Sequence, residues 1–277
     1  MTGAADAVLV LRRGGLGDCL LMLPLLRALR RARPGAALHF AGASECGELF
    51  CRRGVVDAAR AAEDLELWHA ERARQRLLGY REIVGDEPTL ATVPIDVTRV
   101  VAGVPVARQW LPQAGLPTHW PDDGWLAPPR ACRGPGVIVL APGSGARVKC
   151  WPPVRWLELA ALLADRGRAL QVVVGPVELE RDDPQRWPWP VPVTFVVGRR
   201  VTELAAELEA AAAFVGNDSG TTHLAAAVGT PTVALFGPTE PVLWAPVGPH
   251  VRVLRGAAGE LAAIPAADVA AAVIGPR

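Results

Sequence analysis

Short continuous apolar runs punctuate the chain at residues 7–12 (AVLVLR), 37–41 (ALHFA), 136–141 (GVIVLA), 170–174 (LQVVV), 193–197 (VTFVV), 232–236 (TVALF) and 250–255 (HVRVLR). Another ends at Phe214-Val215. They lack the strict alternation of a sheet with one wet face, so they read as strands covered on both sides, as in parallel sheets. Between them lie apolar residues at helical spacing. These predict helices over 19–31, 45–53, 65–78, from 153 through 166, 201–212 and 264–274. Residues 83–84 read as a strand, and 92–101 are ambiguous. Residues 103–135 are rich in proline and carry Trp110, Trp120 and Trp125, which either pack or line a cleft. The last part, 116–135, reads as a linker. Strand and helix alternate on both sides of it, which predicts two α/β domains with parallel sheets, residues 1–130 and 131–277.

A length of 277 residues suits two domains that bury sizeable cores without staples. The formal net charge is +1, so nucleic-acid binding has no electrostatic signature. The densest basic run, Arg27 to Arg33, reads as the end of an amphipathic helix, where cations suit the dipole. Its other reading is contact with an anionic membrane. The five cysteines (Cys19, Cys46, Cys51, Cys132, Cys150) are odd in number and contain no C-x-x-C pair. This argues against a zinc site or a disulfide framework and fits a reducing cytoplasm. Residues 1–6 show no basic stretch before an apolar one, so no signal peptide is expected.

The chemistry-bearing turns follow strands. After the first strand comes Arg13-Gly14-Gly15-Leu16-Gly17-Asp18. Its glycines miss the G-x-G-x-x-G dinucleotide spacing, which argues against a plain dehydrogenase. Asp18 is expected to cap or open a helix. After residues 136–141 comes Pro142-Gly143-Ser144-Gly145-Ala146-Arg147-Val148-Lys149-Cys150-Trp151-Pro152. This is not a P-loop, but its backbone N–H groups and Lys149 suit phosphate; the alternative for Lys149 is a solvated loop position. Glu178 and Glu180 follow residues 170–174, and an acid there can accept from ribose hydroxyls. Gly216-Asn217-Asp218-Ser219-Gly220 leads into an Ala-rich helix. Asp218 or Ser219 is expected to cap it, Gly220 permits close approach of a ligand, and the helix start suits an anion. Thr221, Thr222 and His223 add side-chain donors on that turn, with His223 facing either ligand or core.

Residues 218–241 read D-S-G-x-x-H-x-A-A-x-x-G-x-P-x-x-x-L-F-G-x-T-x-P. This closely resembles the C-terminal signature of the ADP-heptose:lipopolysaccharide heptosyltransferase family, glycosyltransferase family 9. Two shorter segments extend the resemblance. P-G-S with K-x-W-P covers residues 142–152, and Arg12, Gly17, Asp18 and Pro24 match R-x-x-x-x-G-D-x-x-x-x-x-P. The N-terminal half is shorter than is usual in the family, which leaves acceptor identity open.

The resemblance implies the GT-B fold, two Rossmann-like domains facing across a cleft. It implies an inverting, metal-independent transfer of heptose from ADP-heptose to a glycan such as lipopolysaccharide core, with no cofactor. Asp18 would be the general base, tuned by burial. Ser144, Lys149, Asp218, Ser219, Gly220, Thr221, Thr222 and His223 would hold the donor, and Glu178 its ribose. The acid pairs Asp122-Asp123 and Asp182-Asp183 sit in Pro-rich stretches, unlike a metal-binding D-x-D loop. A lipid-linked acceptor would place the protein in the cytoplasm at the inner face of the membrane, as a peripheral contact. The alternatives are another nucleotide sugar, a GT-B epimerase, or a non-catalytic nucleotide-sugar binder.

Overall fold

In a computed structural model that describes residues 6–66, 69–118, 126, 136–248 and 250–274, the chain forms two compact units, Met1–Leu126 and Ala127–Arg277. The first unit runs β1 (Ala7–Leu11), α1 (Leu16–Leu20), α2 (Leu23–Ala32), β2 (Ala37–Gly42), α3 (Ser44–Arg52), β3 (Ala58–Ala61), α4 (Ala70–Arg76), β4 (Glu82–Gly85), β5 (Val93–Pro94), α5 (Val106–Gln113). The second runs β6 (Ile138–Ala141), α6 (Pro153–Ala164), β7 (Leu170–Val174), α7 (Pro176–Arg181), β8 (Thr194–Val197), α8 (Val201–Ala210), β9 (Ala213–Asn217), α9 (Gly220–Ala227), β10 (Thr232–Phe236), α10 (Pro241–Trp244), β11 (Val251–Arg255), α11 (Ala266–Ile274).

Both sheets are parallel. Their strand orders are β3-β2-β1-β4-β5 and β8-β7-β6-β9-β10-β11. Each is the doubly wound order, which reverses direction beside the unit's first strand. The reversal falls between β1 and β4 in one sheet and between β6 and β9 in the other. Ligands of such sheets bind at the carboxyl ends of these strands, where the Gly-rich turns lie.

The apolar strands supply the cores. All five residues of β1 and all four of β6 are buried. In the second unit Trp151 and Trp156 pack edge to face at 5.1 Å. The indole N–H of Trp151 donates to the Ile264 carbonyl, and that of Trp156 to the Trp151 carbonyl, each at 3.2 Å.

Several expectations are corrected. The helix over 19–31 is two helices, because Pro24 lacks the N–H that would carry a helix through and instead sits in the first turn of α2. The helix over 65–78 shrinks to α4, with Glu66 at φ 51° before it. The Pro-rich stretch contains α5, whose Trp110 is fully buried, so this tryptophan packs. The loop at 175–180 contains the short α7. In the basic run, Arg30 pairs with Asp57 and Arg33 with Glu82. Trp120, Trp125, Asp122, Asp123, Cys132 and most of 116–135 lie outside the described residues.

Candidate active site

In the second unit, the turns after β6 and β9 are joined at the point where strand order reverses. Asn217, the last residue of β9, is fully buried. Its amide donates to the Pro142 carbonyl at 2.6 Å and accepts from the Trp151 backbone N–H at 3.1 Å. One side chain therefore pins both ends of the 142–151 loop. The Ser144 hydroxyl donates to the Asp218 carbonyl at 2.8 Å. Lys149 ends a 3₁₀ turn at Arg147–Lys149, and its Nζ meets Asp218 Oδ2 at 2.7 Å. The Asp218 side chain is 9% exposed and that of Lys149 is 34% exposed. The carboxylate is fixed, while the ammonium reaches solvent.

The expected side-chain cap of α9 is absent. Ser219 occupies the N-cap position, but no side chain caps the helix. The Asp218 carboxylate is held by Lys149, and the Ser219 hydroxyl lies 3.2 Å from that of Thr222. Thr222 N–H and His223 N–H both donate to the Ser219 carbonyl. The N–H groups of Gly220 and Thr221 open the helix, where no intrahelical acceptor exists. The Thr222 side chain is buried and donates to the Asn217 carbonyl, and His223 is also buried. Lys149, Ser219, Gly220 and Thr221 thus form the reachable part of the predicted set. Ser144, Asp218, Thr222 and His223 stand behind it.

Glu178 is engaged locally. Its Oε2 accepts the Gly175 N–H at 2.8 Å, closing the start of α7, and its other oxygen fills the space where a side chain on Gly143 would lie. It borders a pocket of about 130 Å³ behind Gly143 and Ser144, whose wall includes Cys150, Arg181 and Trp187. Burial pushes the Cys150 thiol pKa up. Asp182 accepts from the Trp187 indole and Asp183 caps its own 3₁₀ turn.

In the first unit, Asp18 lies in the first turn of α1, and its Oδ2 accepts the Gly15 N–H at 3.1 Å. Its side chain is 41% exposed, so burial is not the device that the sequence reading invoked. Arg12 grips it instead: its Nη2 meets Asp18 Oδ1 at 2.6 Å, and its Nη1 meets Asp86 Oδ2 at 2.6 Å. Beside Asp18, a hydrogen bond from Cys46 lowers the Cys19 thiol pKa, while the same bond and burial raise that of Cys46.

Sequence reasoning overlooked Asn217 and Asp86. Each is a polar residue at the mouth of an apolar strand, beside the strand that starts its unit. That position was the available signal.

The family model of glycosyltransferase family 9 (heptosyltransferase) matches residues 123–270. Lipopolysaccharide heptosyltransferase 3 of Escherichia coli (strain K12) is 32% identical over 133 residues, which cover 45% of this chain and 39% of that protein. The chain thus spans less than half the length of the curated relatives it matches first. Among solved structures, E. coli heptosyltransferase WaaC with ADP is similar over 95% of this chain and 97% of that one, with a TM-score of 0.75 at 21% identity. The glycosyl transferase family 9 protein from Veillonella parvula DSM 2008 is similar over 99% of each chain, with a TM-score of 0.77 at 18% identity. At these identities the likeness is one of fold, and that fold is GT-B.

Proposed function

The chain belongs to glycosyltransferase family 9, the heptosyltransferase family, and from that premise we propose that it transfers heptose from ADP-heptose to a glycan acceptor of the lipopolysaccharide-core type. The acceptor oxygen attacks the anomeric carbon as the bond from that carbon to the ADP oxygen breaks. The configuration inverts, and the acceptor proton passes to Asp18. Lys149 and the open start of α9 meet the negative charge that grows on the departing diphosphate. Lys149 reaches it by turning from Asp218, which remains behind as its anchor. Ser144 and Thr222 hold the two turns, and Glu178 borders the ribose side. These cationic and N–H groups fill the role a divalent cation takes elsewhere, so the transfer proceeds without one. A lipid-linked acceptor brings the protein to the inner face of the cytoplasmic membrane.

The observation that carries this reading is the convergence of Lys149 and the uncapped start of α9 at the β6/β9 reversal. Calorimetric titration with ADP, UDP and GDP, without and then with Mg²⁺, tests it. ADP-selective binding that ignores Mg²⁺ is expected. Preference for UDP or GDP discards the donor, and binding of none of the three discards the transferase reading.

A further inference from the structure

The assignment of Asp18 as the base leaves a neighbour without a role. Asp86 follows β4, on the other side of the first sheet's reversal from Arg12, which follows β1. Its side chain is 5% exposed. It takes Arg12 Nη1 at 2.6 Å, and both its oxygens accept the Arg13 backbone N–H, at 3.2 and 3.3 Å. The guanidinium it holds is 10% exposed and lies 5.7 Å from the centre of the buried Trp110 ring. The remaining terminal nitrogen of Arg12 points at Asp18. On the far side of that carboxylate, Gly14, at φ 142°, leaves no room for a side chain: a Cβ there would sit 2.7 Å from Asp18 Oδ2.

We propose that Asp86 is a positioning residue for Asp18, acting through Arg12. The inference rests on the reading of Asp18 as the base. Geometry is the first half of the argument. A planar guanidinium offers its donors in a fixed fork, so clamping one nitrogen on a buried carboxylate sets where the other points. Without Asp86, Arg12 is free to turn both nitrogens onto Asp18. Charge is the second half. Two carboxylates and one guanidinium sum to one negative charge, and proton uptake by Asp18 brings the sum to zero. The flanking Arg13 and Glu87 pair with each other at 2.8 Å. With a neutral residue at position 86 the trio starts at zero and must become cationic as the proton arrives. In a partly buried site this opposes proton uptake. Asp86 therefore lets one arginine orient the base without cancelling it.

The test uses the full chain with ADP-heptose and an acceptor, alongside ADP calorimetry. Asp86→Asn is expected to lower kcat about ten- to a hundredfold, the scale of a misplaced catalytic group. KM for the donor and ADP affinity should stay within about twofold, because the donor residues belong to the other unit. Formate should restore part of the lost kcat in Asp86→Ala by supplying the missing carboxylate to Arg12, with KM for the donor unchanged throughout. Unchanged kcat in Asp86→Asn, with Asp18→Asn inactive, overturns the inference. Normal turnover in Asp18→Asn overturns the base assignment instead. Should Asp86→Asn not fold, Arg12→Lys carries the test, since an ammonium on a flexible stem lacks the fixed fork that aims one donor at Asp18, and normal kcat there overturns the proposal.

Discussion

On the proposed reading, Lys149 is the residue on which donor binding turns. Its ammonium is partly exposed and pairs with the fixed Asp218 carboxylate, so it can be removed without opening a core. Lys149→Ala should lower turnover at least a hundredfold, about 2–4 kcal/mol of transition-state stabilisation, by analogy with deleting one preorganised donor. Steady-state kinetics with far-ultraviolet circular dichroism as the folding control checks this; near-normal turnover removes Lys149 from the mechanism. The sequence marks Lys149, Asp218 and Ser144 by motif, yet their pairing is invisible there. The ion pair joins residues far apart in the chain and depends on which loops the strand order brings together. Residue identity was legible; partnership was not. The same holds for Asp18, whose place in a first turn follows from Gly17-Asp18 before an apolar helix, while its grip by Arg12 depends on where β4 lies.

At the scale of elements, Asn217 decides the shape of the 142–151 loop. Asn217→Ala leaves the Trp151 N–H and the Pro142 carbonyl buried without their partner. With about 1–3 kcal/mol for each unsatisfied group, the loss of stability should be about 2–6 kcal/mol. Urea unfolding measures it, and a loss below about 0.5 kcal/mol shows that the loop does not depend on the staple. ADP affinity should fall with it, because the same bonds hold the segment carrying Ser144 and Lys149. Gly143→Ala tests the opposite side of the loop. Its new methyl meets the Glu178 carboxylate, so Glu178 must leave the start of α7, and the variant should lose ADP affinity while keeping the β6–α6 core. Unaltered affinity separates the Glu178 side from the nucleotide. The central strands were readable because both-sided burial writes a continuous apolar run, whereas the short, half-buried edge strands β3 and β5 were not. Helices were less so wherever a local rule intervened. Pro24 divides one, a positive-φ Glu66 precedes another, and α5 lies in the Pro-rich 103–135 stretch, ahead of the part read as a linker, with Pro105 at its N-cap and Pro112 within it.

The whole molecule repeats one arrangement twice. Asp86 follows the fourth strand of the first unit and Asp218 the fourth strand of the second. Each pairs with a cation carried on the segment after its unit's first strand, Arg12 and Lys149. The two cations differ in the way the tasks proposed for them require. Arg12 is buried and forked, suited to holding a carboxylate at one angle. Lys149 is a partly exposed point charge on a flexible stem, suited to leaving its aspartate for a diphosphate. This division predicts which variants uncouple ligand binding from chemistry. A ligand that binds only the folded state stabilises it by about 2.7 kcal/mol at a hundred times its Kd. ADP at that excess should raise the melting temperature of the wild type, Asp18→Asn and Asp86→Asn by the same amount, because none of these changes touches the second unit's turns. At the same ADP concentration Lys149→Ala should show less than half the shift. Equal shifts in all four would mean that the nucleotide does not use the second unit's cation. Loss of the shift in Asp18→Asn or Asp86→Asn would mean that the first unit's trio binds the donor, which would move its role from orienting a base to holding the nucleotide.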